Sequence, residues 1–138
     1  MRTALALVLV SSLIAGAAAT SDSPFRLLAT VQELMTVFTI PHSEIIFNAG
    51  AETPKDDTAW QNVQTSALML AESSNLLLLP GRAPDNEEWV KQSQAMIDAA
   101  ISAATAAREK NADNLADASN RLYDTCAACH EKYMDKSR

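Results

Sequence analysis

The chain has 138 residues, 48% hydrophobic and 20% charged, with a formal net charge of −6. That is material for one domain around one core, and the acidic balance argues against nucleic acid and anionic membranes as partners. With three glycines in the whole chain and no run of sustained strand alternation, the composition points to an all-α fold.

The opening segment, MRTALALVLVSSLIAGAAAT, carries Arg2, then an apolar run from Ala4 to Val10 and on through Ile14, and closes in Ala17-Ala18-Ala19. This is the layout of a secretory signal peptide with an A-x-A cleavage site, and the run is short for the ~20 residues of a membrane span. The expectation is removal of residues 1–19, export to the periplasm and a mature domain over 20–138. Loss of Arg2 takes the charge from −6 to −7.

Four amphipathic stretches follow. The first is expected to start at Ser23-Pro24, a capping residue before a proline, with Leu27, Leu28, Val31, Leu34, Met35 and Phe38 inward. Ile45 and Ile46 extend it beyond Pro41, which should kink or interrupt it. The second runs from about Thr58 to Leu79, with Thr58 and Gln61 as a capping box and Pro80-Gly81 as the stop. Trp60, Val63, Ala67, Leu70, Ala71, Leu77 and Leu78 mark its inner face. The third opens at Asp85 with Glu88 as a second capping box, and carries Trp89, Ser93, Met96, Ile97, Ala100, Ile101 and Ala104. The fourth opens near Asn111 and carries Leu115, Ala118, Leu122, Cys126, Cys129 and Tyr133. Short connections favour antiparallel neighbours, so the expected architecture is an up-down-up-down four-helix bundle.

The chemistry concentrates in Cys126-Ala-Ala-Cys129-His130. On a helix, residues three apart share a face, so each thiol can form a thioether to one haem vinyl group, and His130 then reaches the iron. A redox dithiol is expected near a βαβ pattern, which is absent. A zinc site needs four ligands, and the cysteines and histidines number only Cys126, Cys129, His130 and the distant His42. A disulfide over so short a loop would add little stability. One covalently attached haem c per chain is the expected cofactor.

With that motif on the last of four helices, the chain resembles the class II cytochromes c, the family of cytochrome c′ and its low-spin relatives. The resemblance rests on Cys126-Ala-Ala-Cys129-His130 followed by Tyr133, on VQELM in the first helix and on EEWVKQSQAMIDAA in the third. NLLLLPGR resembles a less common bacterial branch. The resemblance implies haem hung from the C-terminal helix, His130 as the proximal iron ligand and Met35 as the distal one. His42, seven residues on, shares Met35's helix face but sits about 10 Å further along the axis, and is the rival ligand. Met69 and Met96 are expected to pack. Where many family members carry a basic residue this chain has Val31, so Arg82 and Arg121 are the candidate partners for a haem propionate. Leu76 to Leu79 are expected in the core, with a haem-pocket wall or a subunit contact as the alternatives. Family members often pair as homodimers through the first two helices.

The expected function is a periplasmic electron carrier with low-spin His/Met iron, docking on redox partner proteins with a basic surface. The alternative is a five-coordinate protein that binds nitric oxide or carbon monoxide, as cytochrome c′ does. No acid–base or nucleophilic constellation is visible, and no enzyme activity is expected.

Overall fold

A computed structural model describes residues 24–134. The signal-peptide segment and Ser23 lie outside the described residues. Within them the chain forms four long helices and no strand.

The leading helix is built from three consecutive pieces: α1 (Val31–Leu34), a π-helical turn (Met35–Thr39) and α2 (Ile40–Ala51). It starts later than Ser23-Pro24. Thr30 and Glu33 form a reciprocal capping box, with the Glu33 amide donating to the Thr30 hydroxyl and the Thr30 amide to the Glu33 carboxylate. That box satisfies two end amides at once, which a proline at the first position cannot do. The described residues before it form no helix, and Leu27 and Leu28, expected inward, are exposed. Pro41 does not end the helix. It lies in the first turn of α2, after a turn in which the Ile40 amide bonds to the Met35 carbonyl, five residues back.

Helix α3 (Asp57–Asn75) is capped by Asp56, whose carboxylate accepts the Ala59 amide at 2.8 Å, rather than by Thr58. It runs into a 3-10 turn (Leu76–Leu78), and the chain reverses through Gly81 at φ 87°, a conformation that favours glycine. Helix α4 (Glu88–Glu109) begins three residues after Asp85. Asp85 still accepts the amides of Glu87 and Trp89, but Glu88 turns to Gln92 and Lys91 and makes no capping box. Helix α5 (Ala112–Tyr133) is capped by Asn111, as expected.

Each long helix packs on two others: α2 on α3 and α5, and α4 on α3 and α5. Lys110, after the end of α4, pairs with Asp57, at the start of α3. The end of α5 lies against the start of α4 through Trp89 and Tyr133, with ring centroids 5.0 Å apart. Ile46, Leu70, Leu115 and Leu122 are fully buried at the centre, each worth roughly 1.5–3 kcal/mol of burial. Ile101 and Met69 were expected inward, yet both are exposed, because they fall at the edge of their helices' apolar stripes.

One end of the molecule is tightly closed. The second half of α4 buries Ala99, Ala100, Ala103, Ala104, Ala106 and Ala107, so neighbouring helices approach closely. Gly50 meets Ser119 so closely that a Cβ on it would lie 2.6 Å from the Ser119 Cβ. The other end is not filled.

Candidate functional site

At that other end a cavity of about 380 Å³ opens between the helices. The leading helix contributes Met35, Thr39, Ile40, Ser43, Glu44 and Phe47 to its wall. Helix α4 contributes Gln92, Ser93 and Met96, and the 3-10 turn Leu77. Helix α5 contributes Tyr123, Thr125, Cys126, Cys129 and His130. Four side chains expected from the sequence at one site, Met35, Cys126, Cys129 and His130, therefore open onto one space. His42 does not line it, and its Nδ1 is buried with no hydrogen-bond partner.

The separation of Met35 from His42 has a local cause. In an unbroken α-helix, residues seven apart lie within about 20° of one face, which is how Met35 and His42 come to share one on sequence spacing. The π turn inserts one extra residue between them. That rotates everything before it by about 100° relative to α2. Counted without the extra residue, Met35 stands seven positions before Ser43 and eleven before Phe47, again within about 20° of their face. His42 falls roughly 120° away. Met35, Ser43 and Phe47 accordingly line the cavity together.

The cysteines sit one helical turn apart on α5, both part-buried, and His130, next in sequence, is exposed at the rim. Burial pushes both thiols above the ordinary cysteine value, helped at Cys129 by the negative charge of Glu88. They are held as neutral S–H groups near neutral pH.

The last turn of α5 is pinned by contacts that sequence spacing does not announce. Tyr133 donates its hydroxyl to Asp85 at 2.5 Å, while Trp89 donates its indole N–H to the Leu77 carbonyl at 2.9 Å. Lys132 lies 3.7 Å from the same Asp85 carboxylate. The Tyr133 hydroxyl, then the Trp89 amide, hold the Asp85 carboxyl down at about 2. Three residues after His130 on the same helix face, Tyr133 thus fixes the backbone that presents the imidazole.

Several wall residues were not anticipated. Thr39, Ser43 and Phe47 form a row at four-residue spacing, and a small polar pair on an otherwise apolar face was the signal available for it. Leu77 serves as both core and cavity wall. Met96, expected to pack, is buried and also reaches the cavity. Neither arginine proposed for a propionate lines it. Arg82 donates to the carbonyls of Leu76 and Ala29, and Arg121 lines a separate polar groove with Asn114 and Asp117. No lysine or arginine is among the cavity-lining residues.

The family model described as Cytochrome C' matches residues 84–134. This segment carries the cytochrome c′ family signature. It takes in α4, α5 and the whole Cys126–His130 motif, and it agrees with the class II cytochrome c resemblance; the first two bundle helices lie outside it. No curated protein and no solved structure matched the chain. The cytochrome c′ signature supports a haem protein, and the residues fit that group. Two neutral thiols, one imidazole and two thioethers, those of Met35 and Met96, line a mainly apolar cavity, whose size falls in the range of about 300–1,000 Å³ usual for cofactors and small ligands. Among the described residues, no cluster of three or more histidine, cysteine or acidic side chains is arranged for a bare metal ion. Among the described residues, no helix is long and apolar enough to cross a membrane.

Proposed function

We propose that the mature chain, residues 20–138, is a periplasmic c-type haem protein that carries electrons. In this reading Cys126 and Cys129 hold one haem c, His130 is the proximal ligand and Met35 the distal one. The observation that carries it is the single cavity onto which these four side chains open. When bound, haem supplies a one-electron iron centre whose potential a methionine sulfur raises. The chain's own residues supply the rest. Cys126 and Cys129 would each hold the group through a thioether, the sulfur bonding to one vinyl carbon and the thiol proton going to the other. Tyr133 and Asp85 hold the turn that carries His130. Leu77, Phe47 and Met96 keep water from the interior wall.

The helices run up-down-up-down; the Lys110–Asp57 pair and the Trp89–Tyr133 contact support that direction for α3, α4 and α5. Residues 1–19 act as the export signal. Partners are redox proteins with basic docking surfaces, attracted by the acidic charge of this chain. We assign it no enzymatic activity.

The test uses the purified holoprotein. Acidified organic solvent should leave haem on the polypeptide, and loss of all haem to the solvent would remove the thioether assignment. The ferrous protein should be low-spin and bind carbon monoxide poorly, whereas Met35→Ala should become high-spin and bind it readily. His42→Ala should leave the spectrum nearly unchanged. A wild type that is already high-spin, with Met35→Ala silent, replaces electron transfer with gas binding as the better reading.

A further inference from the structure

We infer that Pro41 is a positioning residue: through the π turn that precedes it, it aims the Met35 sulfur into the cavity. The inference rests on the reading of Met35 as a ligand and concerns what puts the sulfur there.

The π turn spans Met35 to Thr39 and ends directly before the Ile40-Pro41 pair. Proline has no amide hydrogen to give the carbonyl four residues back, here Val37, and its ring crowds that carbonyl. An α-helical turn at this point would suffer both defects. A π turn widens the helix just ahead of the proline and moves the carbonyls out of register with it, with the Ile40 amide reaching back to Met35 rather than to Thr36. The extra residue costs little in packing, because Val37 is 61% exposed. Its effect is on direction: it turns the segment bearing Met35 by about 100° relative to α2. In an unbroken α-helix the residue sharing Met35's face would be His42; with the π turn it is Ser43, which lines the cavity. The proline and the extra residue together therefore decide which side chain faces His130.

The mechanism makes an unusual pair of expectations. Pro41→Ala removes the reason for the π turn, and alanine favours the α register. The helix should tighten and swing Met35 off the cavity face. Deleting Val37 in that same variant removes the extra residue, so a regular α-helix returns Met35 to its original direction. A loss caused by general damage to the helix would not be repaired by a further deletion.

The experiment compares wild type, Pro41→Ala, and Pro41→Ala lacking Val37, all as holoproteins, with Met35→Ala as reference. The optical readout is the weak red band of thioether-ligated ferric haem, together with the spin state. The backbone readout is the through-hydrogen-bond NMR coupling between the Ile40 amide nitrogen and the Met35 carbonyl carbon. It is taken in the diamagnetic ferrous state, with carbon monoxide added to any variant lacking a sixth ligand. Pro41→Ala should lose both the coupling and the band, and the double variant should regain the band with low-spin iron. A Pro41→Ala protein that keeps the band overturns the inference, whether or not the coupling survives. So does a double variant that stays high-spin. If Met35→Ala itself leaves the spectrum unchanged, the ligand assignment fails separately. The positioning claim is then read from the Met35 methyl resonance, which Pro41→Ala must still displace and the double variant must restore.

Discussion

Asp85 joins the start of α4 to the end of α5. One carboxylate oxygen takes the amides of Glu87 and Trp89, and the other takes the Tyr133 hydroxyl, with Lys132 nearby. These donors hold its carboxyl at about 2, below the ordinary 3.8. A carboxyl depressed in the folded state contributes stability above its unfolded value, and that contribution is lost as the pH falls through the folded value. The window is therefore roughly pH 4 down to 2. Thermal melts at pH 5 and pH 2.5 should show a smaller acid-induced fall in Tm for Asp85→Asn than for wild type. Equal falls would mean the carboxylate is not a stabilising anion here. Half of this arrangement was legible in the sequence: an aspartate ahead of an apolar stripe reads as a helix cap. The other half was not, because Tyr133 lies 48 residues away and no spacing rule links them. The same holds for the cysteines and His130, whose pattern is local, against Met35, whose proposed role as a ligand came only from a family resemblance.

Among the elements, existence and order were legible from periodicity, while three of the four helix starts moved, by two to seven residues. At two of the shifted starts a chemically equivalent acceptor stood close by: Asp56 for Thr58, and Thr30 with Glu33 for Ser23. Capping preference does not distinguish two good acceptors; the packing of the helix that follows does. Pro41 was legible as a disturbance, but spacing alone does not distinguish a kink from a π turn. The close approach of α2 and α5 was equally silent, since a glycine within a helix looks only unfavourable. Gly50→Ala should cost about 1–3 kcal/mol in urea unfolding, the usual penalty for overpacking. Combining it with Ser119→Gly should cost less than the two changes summed, because the second removes the atoms the new methyl meets. Strict additivity would show that the helices separate without resistance.

The whole molecule is unequal from end to end. The alanine-lined half of α4, the Gly50–Ser119 contact and the Lys110–Asp57 pair close one end. The cavity, the π turn and the cysteine-bearing turns of α5 occupy the other. Local opening is cheapest where few apolar contacts hold the backbone. In the haem-free protein, amide exchange should therefore be slowest over residues 99–107 and 115–122, and fastest over 35–39 and 126–133. Haem attachment should slow the fast set most; uniform protection in the haem-free chain would contradict this division. Sequence composition hinted at the inequality, with alanine crowding the second half of α4 and Trp89, Gln92, Ser93 and Met96 the first. It did not disclose a cavity, which depends on what neighbouring helices fail to fill. One consequence concerns variation rather than chemistry. Because the closed end holds the fold, wall residues such as Thr39, Ser43 and Gln92 should accept size-conserving changes without unfolding the bundle. A lineage, or a laboratory, can retune the cavity by substitution at one end while inheriting the scaffold from the other.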